Sequence, residues 1–289
     1  MKISVLMTCF NRKDKTNQCI KMLLNNESKL DEKLNIYLVD DGCTDGTSEL
    51  IKQKYSHVNI IEGSGSLFWN GGMRLAWQTA LKDRSDFYLW INDDSFIYDD
   101  SISRLFNSYQ ELAKQGQSVG AILGSMVDPI TKKLTYGGRL KCSRLNPVKI
   151  GPVIQPSNDA LKCDFVNGNL TLIPAETVKK IGILSDQFTH SMGDFDYGLR
   201  AIKAGLNCWV APGVYGECEV NLVDGSWQDK SLSLEVRVNK MKNITQLPPL
   251  HEWSVFIQRH GGWKWPLLYI DALIRVKLPK VWLVIKRKI

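Results

Sequence analysis

The chain has few of the residues on which the common metal and hydrolase motifs depend. Four histidines and seven scattered cysteines occur in 289 residues, and no Cys-x-x-Cys pair is among them. A disulfide framework or a structural zinc site is therefore not indicated, and we expect reduced thiols in a cytosolic protein. The sequence also has no Walker A motif, no Gly-x-Ser-x-Gly elbow and no His-Glu-x-x-His helix. The simplest evidence for P-loop, α/β-hydrolase or zinc-protease chemistry is thus missing.

Two further segments lack the features that their composition first suggests. The N-terminus has one positive charge and a short apolar run, and polar residues follow at 11–14, so it predicts a first strand and not a signal peptide. The glycine-containing stretch at 63–68 has no third glycine and does not follow the first strand. It therefore fails as a dinucleotide-binding fingerprint.

Positive charge is concentrated in one segment. Residues 253–289 hold eight Lys/Arg and one acid, and the remaining 29 bases and 29 acids of residues 1–252 balance. Aromatic and aliphatic residues lie between these bases, a mixture typical of a helix in a membrane interface, although Asp271, Arg275, Lys277 and Lys280 interrupt every run well below the roughly 18 residues needed to span. The segment would then contact an anionic membrane. The alternatives are a helix that packs on its own domain with a solvated basic face, or a lid; no recognition motif indicates nucleic acid.

Strand and helix patterns alternate along the first half of the chain. Apolar runs and helix signals predict strands at 3–9, 35–40, 58–62 and 86–92, and helices near 12–26, 46–55, 71–82 and 99–115. Such alternation predicts an α/β fold, a parallel sheet with covering helices. The shorter runs at 119–123, 134–136 and 164–166 are interrupted by Gly, Pro and Asn, and they predict an antiparallel extension of a mixed sheet.

Three acidic clusters follow or flank these apolar runs, at 39–42, 91–94 and 193–196. The first two come at the ends of predicted buried strands, and the carboxyl ends of parallel strands are where open α/β sheets bind ligands. Hard carboxylate oxygens are the ligands that Mg²⁺ prefers beside phosphates. Position and chemistry together predict a site for a metal-bound phosphate.

The motifs resemble those of the GT-A-fold glycosyltransferases of family 2, over roughly residues 1–215. The first strand and loop at 3–12 and VDDGCTDGT at 39–47 are similar to the family's nucleotide-binding segments. Asn92, Asp93 and Asp94 stand at the family's Asp-x-Asp metal motif, with Asn in place of the first Asp. The segment that begins at Gly193 resembles the Glu-Asp-x-Asp region, with Gly in place of Glu. LFWNGGMR at 67–74 and HGGWKWP at 260–266 resemble a bacterial branch that builds surface polysaccharides such as O-antigen or capsule, including rhamnosyltransferases.

The resemblance implies a role for each matching residue at the donor site. It implies Asp94 as the ligand of Mg²⁺ or Mn²⁺, and a single well-placed carboxylate is enough for Mg²⁺ because the phosphates and water complete the shell. Asn92 and Asp93 would hold the ribose, Asp40 would accept a hydrogen bond from the pyrimidine N3–H, and Asp41 would lie near the ribose. The remaining donor-site residues are a base pocket of Thr8 and Arg12, and Arg74, placed just inside a helix marked by Gly71 and Gly72, as a cation near the phosphates.

The third acidic cluster would supply the acceptor side. Inversion at the sugar carbon needs a carboxylate that takes the proton of the attacking hydroxyl, and the resemblance implies Asp194 for this role. Asp196 would bind the acceptor or cap the helix, because residues two apart do not share a helix face. The alternative for Asp194 is an N-cap of a helix at 195–205. For 39–47 the alternative is a turn and helix start, and for Trp69, Asn70 and His190 it is a structural role.

These observations together predict an inverting, metal-dependent glycosyltransferase (a hexosyltransferase). The fold expected is a GT-A-type, Rossmann-like mixed sheet, with a nucleotide-sugar half at 1–125, an acceptor half at 126–215 and a helical, basic and aromatic extension at 216–289. The enzyme would move a sugar from dTDP-rhamnose or a UDP-sugar to a glycan or lipid-linked glycan, as a cytoplasmic protein at the inner face of the cell membrane. The alternatives are a sugar-phosphate nucleotidyltransferase, which would need a Gly-rich triphosphate loop after the first strand, and a non-catalytic glycan-binding protein on the same fold.

Overall fold

A computed structural model describes residues 2–30, 33–143, 145–220 and 223–286. The strands are β1 Ile3–Cys9, β2 Leu34–Asp40, β3 Asn59–Glu62, β4 Phe87–Ile91, β5 Phe96–Ile97, β6 Val119–Val127, β7 Leu134–Tyr136, β8 Arg139–Lys141, β9 Ile150–Val153, β10 Leu161–Cys163, β11 Leu170–Pro174 and β12 Asn207–Glu217. The helices are α1 Lys13–Glu27, α2 Thr47–Lys54, α3 Phe68–Ala80, α4 Ser101–Lys114, α5 Ala175–Ile181, α6 Gly193–Lys203, α7 Leu234–Lys240, α8 Leu250–His260, α9 Trp265–Lys277 and α10 Pro279–Lys286.

A mixed sheet organises the part of the chain that the structure describes. Its main path runs β10-β12-β6-β11-β4-β1-β2-β3, with β5 paired to β12 and β7 paired to β6. Strands β1 to β4 are parallel where they pair, and β11 lies antiparallel between β4 and β6. The predicted α/β, GT-A-type mixed sheet with covering helices is therefore confirmed.

Burial on both faces of the sheet explains the near-continuous apolar runs of its central strands. Every residue of β4 is buried, and so are six of the seven residues of β1. One face packs on α1, α2 and α4 through residues such as Ile20 and Leu105, and the other packs on α3 and α6 through residues such as Trp77 and Tyr197. The sheet is thus enclosed along its length, and its polar side chains are left at the strand ends.

The second half of the sheet differs from the sequence-based expectation. The segment at 164–166 was expected to be a strand, but β10 ends at Cys163, and Phe165 forms only an isolated bridge with Arg139. Strands β11 and β12 were not predicted, and β12 pairs in parallel with β6. The pairing is irregular because β12 has register shifts between Val210 and Gly216, which break its periodicity.

Helix α3 also begins earlier than expected. It starts at Phe68, so Gly71 and Gly72 lie inside the helix and do not mark its N-terminus. A Cβ at residue 72 would stand 2.2 Å from the Oγ1 atom of Thr8, so the missing side chain lets α3 approach β1. The glycine pair therefore indicates close packing between helix α3 and strand β1.

The C-terminal extension is helical from α7 onward and is attached to the sheet domain through α8. Phe256 and Ile257 of α8 are fully buried in a cluster with Phe165, Phe188 and Leu199. This contact is the packing that one of the sequence-based alternatives described. No helix within the described residues is long and apolar enough to cross a membrane. The domain boundary near residue 215 stays a prediction; β12 ends at Glu217.

Candidate active site

Two adjoining cavities open at the carboxyl ends of β1 and β4. The first, here the Asp194 cavity, has a volume of about 330 Å³ and is lined by residues of the second and third acidic segments, including Asp94 and Asp194, and by Arg139 of β8. The second, here the Asp41 cavity, has a volume of about 510 Å³. Both cavities are lined by Thr8, Arg12, Trp69, Asp93 and His190. One continuous cleft therefore leads from the turn after β2 to the start of α6.

A guanidinium joins the two carboxylates after β4. The Nη1 atom of Arg12 lies 3.0 Å from Oδ1 of Asp93 and 2.6 Å from Oδ2 of Asp94. The Asp93 side chain is 7% exposed and that of Asp94 is 25% exposed. Burial raises the pKa of Asp93 to about 6, against the lowering effect of Arg12. Asp94 is thus the member of the pair that presents a carboxylate to a ligand, and Asp93 is the member that anchors Arg12.

Asn92 is held by an aromatic side chain from α3. The Nε1–H group of Trp69 donates to Oδ1 of Asn92 over 2.7 Å, and the Trp69 ring packs edge-on against Trp90. Gly168 lies directly against the Trp69 ring, since a Cβ atom at residue 168 would come 2.1 Å from that ring. The side chain of Asn92 therefore fixes the orientation of Trp69, which forms one wall of the cavity.

Asp194 lies in the first turn of α6 and lines the cavity that bears its name. Met192 is the N-cap residue, in the left-handed conformation, so Asp194 is not the helix cap. Its Oδ1 atom accepts a hydrogen bond from the Phe195 N–H over 2.8 Å. Burial raises the pKa of Asp194 to about 7, which suits a carboxylate that must take up a proton near neutral pH.

Gly193 departs from the glutamate that the family resemblance implied, and packing explains why. A Cβ atom at residue 193 would stand 1.7 Å from Oδ1 of Asn70. Asn70 is fully buried, and its Nδ2 donates to the carbonyl oxygens of Ser185 and Phe188. A side chain at position 193 would thus displace a residue that fixes the loop before α6.

Asp196 lies outside both cavities, in a buried cluster of charges. Its carboxylate binds Nε of Arg200 at 2.7 Å, Nη1 of Arg259 at 3.1 Å and Nε2 of His260 at 2.9 Å. The bond with His260 and the two guanidinium groups hold the pKa of Asp196 below its usual value, against desolvation. Its Oδ1 atom binds Arg259 and His260 of α8, and its Oδ2 atom binds Arg200 of α6, so Asp196 holds α8 on α6. The N-cap of α6 is Met192, and the predicted role of Asp196 at the acceptor stays a prediction.

The turn after β2 uses its two carboxylates differently. Asp41 accepts hydrogen bonds from the backbone N–H groups of Gly65 at 2.8 Å and Phe68 at 2.9 Å, and it lines the Asp41 cavity. Asp40 accepts from the Cys43 N–H at 2.7 Å and from the Ser48 hydroxyl, and neither cavity includes it. The predicted contact of Asp40 with a pyrimidine stays a prediction.

Arg74 is placed away from the cleft. Its Nη2 atom lies 3.7 Å from Oδ2 of Asp186, and the residue lines a separate surface hollow with Leu67 and Gln78. The predicted contact between Arg74 and the donor phosphates is therefore not supported by this geometry. The cation that does reach the Asp194 cavity beside Arg12 is Arg139, whose Nη1 donates to the Gly151 carbonyl over 2.9 Å.

His190 stands between the two cavities, a position that sequence reasoning undervalued. Its ring meets that of Phe68 edge-on at 6.0 Å, and its Nδ1 atom is buried with no hydrogen-bond partner among the described residues. Burial lowers the pKa of His190, so the ring is neutral near pH 7. The one signal in the sequence was its place four residues before Asp194. A second missed contributor is Thr245 of the C-terminal extension, which lines the Asp41 cavity.

The donor atoms at the cleft fit a divalent ion that the protein holds through few ligands. The one group of three possible ligand residues within the described chain is Cys9, Asp40 and Cys43, away from the carboxylates after β4. Asp94 offers one partly exposed carboxylate in the Asp194 cavity. Mg²⁺ and similar ions bind through one or two carboxylates with phosphate oxygens and water in the other positions, and Asp94 meets that requirement.

Comparison with known sequences gives one family and one informative relative. The sequence model of glycosyl transferase family 2 matches residues 4–144. A poly(ribitol-phosphate) beta-glucosyltransferase of Bacillus spizizenii is 28% identical over 115 residues, which are 38% of this chain and 18% of that protein. The chain therefore matches less than a fifth of the relative's length.

Solved structures share the fold over most of the chain. A mannosyltransferase from Pyrobaculum calidifontis, PcManGT, in complex with GDP-Man and Mn²⁺, superposes with a TM-score of 0.55 at 15% identity and covers 96% of this chain and 72% of its own. The S. aureus protein TarS 1-349, in complex with UDP-GlcNAc, gives a TM-score of 0.51 at 15% identity, with coverage of 89% and 71%. At this identity the likeness is one of fold.

Proposed function

Because the sequence model of glycosyl transferase family 2 matches residues 4–144, we propose that the protein transfers a sugar from a nucleoside-diphosphate donor to a hydroxyl group of a cell-surface polymer. One observation carries the proposal. Asp94 and Arg12 line the same cavity as Asp194, so a phosphate-binding pair and a carboxylate of raised pKa face one enclosed space. A glycosyl transfer needs both, since charge leaves on one side of the sugar carbon and a proton leaves on the other.

The donor would lie along the cleft with its nucleotide in the Asp41 cavity. Phe68, Phe10 and the peptide groups near Gly65 offer flat apolar and polar surface for a base and ribose. The diphosphate would then reach Arg12 at the junction of the two cavities, and the sugar would enter the Asp194 cavity. Neighbours of the same fold bind UDP-GlcNAc and GDP-Man, so a nucleotide sugar is the donor class that we propose; dTDP-rhamnose and UDP-sugars are the candidates.

A divalent ion would be held by Asp94 together with the donor diphosphate. When bound, such an ion neutralises the charge that develops on the leaving nucleoside diphosphate. Mn²⁺ is present in the mannosyltransferase neighbour, and either Mn²⁺ or Mg²⁺ suits a carboxylate oxygen. Arg12 already contacts the same carboxylate at 2.6 Å, and its guanidinium would turn toward the phosphates as the ion binds.

Asp194 would act as the general base of an inverting transfer. The acceptor hydroxyl attacks the sugar carbon opposite the leaving group, and Asp194 takes its proton during the attack. A pKa of about 7 keeps a useful fraction of the carboxylate ionised near neutral pH and gives it enough affinity for the proton. Trp69 and His190 line the same cavity and would reduce the access of water to the sugar carbon.

The acceptor that we propose is a polyol-phosphate or glycan of the cell surface. Support comes from the matched relative, which is a glucosyltransferase of poly(ribitol-phosphate). Arg139 of β8 lines the Asp194 cavity and would attract an acceptor that carries phosphate.

Calorimetric titration with UDP, dTDP and GDP, with and without Mn²⁺, tests the donor site. We expect one nucleotide to bind more tightly with the ion, and we expect Asp94→Asn to remove the effect of the ion. Asp99→Asn is the matched control, because Asp99 is exposed and lies outside both cavities. Absence of binding to every nucleotide, with and without Mn²⁺, would contradict the proposal.

A second experiment separates binding from turnover. Asp194→Asn is expected to bind the same donor as the wild type and to transfer no sugar to a poly(ribitol-phosphate) or glycan acceptor. Transfer at the wild-type rate by this variant would show that Asp194 is not the base. Comparison of the anomeric configuration of the product with that of the donor, read by NMR from the one-bond C1–H1 coupling, decides between inversion and retention.

A further inference from the structure

The outer faces of α9 and α10 are apolar where a surface helix is normally polar. Side chains at helical spacing are strongly exposed along this segment: Trp263 at 76%, Leu267 at 60%, Ile270 at 51%, Ile274 at 36%, Leu278 at 55%, Val281 at 49% and Ile285 at 49%. We name these seven side chains the apolar ridge. Within α9 the separations of three and four residues from Leu267 to Ile274 are those of one helical face, and Val281 and Ile285 are four residues apart in α10. Trp263 comes just before α9, and Leu278 lies between the two helices.

The inner faces of the same two helices are already packed. Ala272 and Arg275 of α9 are buried, as are Trp282 and Leu283 of α10. Trp282 packs against Trp227 with ring centroids 5.8 Å apart and donates to Asp271 over 3.1 Å. A helix that is apolar on both faces is normally covered on both, and a row of exposed apolar side chains such as this one is typical of an interaction site.

Basic side chains border the ridge. Lys277 and Lys280 are exposed, and the ammonium of Lys264 lies 5.0 Å from the centroid of the Trp263 ring. The sequence adds a run of bases at 286–288, which lies outside the described side chains. An exposed tryptophan next to lysine is typical of the level of lipid headgroups, where the ring is half in and half out of the apolar layer.

We propose that the apolar ridge docks on the surface of an anionic lipid bilayer, with α9 and α10 lying in the plane of the interface. The lysines would contact the headgroups and the ridge would enter the boundary of the acyl chains. Charge selects this occupant over a second copy of the chain, because two copies joined at the ridge would bring their lysines together. The anionic bilayer offers both the apolar and the negatively charged partner.

The apolar ridge is linked to the candidate base, Asp194, through helices α8 and α6. Helix α8 leads into the ridge segment, and its Arg259 and His260 bind Asp196 of α6, the helix whose first turn holds Asp194. Docking would therefore fix the Asp194 cavity relative to the bilayer. Resting on the proposed function, this arrangement favours an acceptor that is linked to lipid.

Co-sedimentation with lipid vesicles tests the docking without any need for activity. The full chain is mixed with vesicles of phosphatidylcholine alone or with three-tenths phosphatidylglycerol. We expect binding to the anionic vesicles, and we expect Leu267→Glu combined with Ile274→Glu to weaken it roughly tenfold or more. Ile130→Glu is the matched control, since Ile130 is 86% exposed in a turn far along the chain from the ridge, and it should bind like the wild type.

A charge variant tests whether the lysines beside the ridge contribute to binding of the anionic headgroups. Lys264→Gln combined with Lys277→Gln should weaken binding to anionic vesicles roughly tenfold or more and leave circular dichroism unchanged. The proposal is overturned if the wild type does not sediment with anionic vesicles, or if the ridge variant sediments as well as the wild type. It is also overturned if light scattering shows a wild-type dimer that the ridge variant abolishes, with no vesicle binding. These experiments measure vesicle binding and oligomeric state, so they can be interpreted even if the protein transfers no sugar.

Discussion

Replacement of Asp194 by asparagine is expected to abolish transfer and, at the same time, to stabilise the fold above neutral pH. Burial raises the pKa of Asp194 to about 7 in the folded chain, whereas an aspartate in an unfolded chain titrates near about 3.9. Between these values the folded chain keeps a proton that the unfolded chain has released. The contribution of Asp194 to the free energy of unfolding is therefore greatest below about pH 4, and this contribution is lost as the pH rises through about 7.

The separation of these two pKa values sets the size of the effect. Each tenfold change in proton affinity is worth about 1.4 kcal/mol, so the buried charge destabilises the fold by at most roughly 4 kcal/mol above pH 7. Relaxation and water entry reduce this value, and we expect Asp194→Asn to gain about 1–3 kcal/mol at pH 8. The amide oxygen of asparagine can still accept the Phe195 N–H. Loss of the base should lower kcat by about 10²–10⁴.

Urea unfolding at pH 5 and pH 8, together with initial rates across the same range, measures both effects. The gain in stability of Asp194→Asn should shrink toward pH 5, and wild-type kcat should rise through about pH 7 as the carboxylate ionises. Asp159→Asn, at an exposed carboxylate outside both cavities, is the control and should change neither quantity. A variant at position 194 that is less stable than the wild type at pH 8 would refute the reasoning.

Three further substitutions should each change stability or ligand binding in a way that can be measured separately. Gly168→Ala places a methyl group 2.1 Å from the Trp69 ring, and it should cost about 1–3 kcal/mol in urea unfolding and raise the KM for the donor. Arg12→Met should tighten Mn²⁺ binding at Asp94, since no guanidinium competes, yet weaken nucleotide binding, as calorimetry would show; weaker Mn²⁺ binding would contradict this. Asp196→Asn should cost about 1–3 kcal/mol at pH 7, because it removes the buried carboxylate that pairs with two partly exposed guanidinium groups. The cost should fall as the pH drops below about 4, because the low folded-state pKa of Asp196 is a stability contribution lost on acidification.

The sequence predicted best where the structure depends on local patterns. Strands β1 to β4 and helices α1 and α4 lie within three residues of their predicted positions, because each is bounded by its own turn or cap signals. Strands β11 and β12 were missed because their status depends on distant pairing. Only the contact of β11 with β4 and β6 makes the short run at 170–174 a central strand.

The site shows the same division between local and distant information. The cluster after β4 was identified from a strand end and the cluster at 193–196 from the family resemblance, and the structure brings Asp94 and Asp194 to one cavity. The use of Asp41 could not be inferred, because its partners Gly65 and Phe68 lie 24 and 27 residues away. Two carboxylates near each other in sequence, at 194 and 196, likewise have opposite pKa shifts, because one meets apolar surface and the other meets three basic groups.

The balance of charge in the cleft indicates how a donor and its ion would enter together. Arg12 offsets one of the two carboxylates after β4, so the Asp93–Asp94 pair carries one uncompensated negative charge when both are ionised. A divalent ion alone would reverse that sign, and a nucleotide-sugar diphosphate alone would add like charge to it. The two together are close to neutral, so their joint binding leaves the local charge unchanged. As the bond to the sugar breaks, the diphosphate gains a charge, and the guanidinium of Arg12, freed from Asp94, is the group placed to meet it.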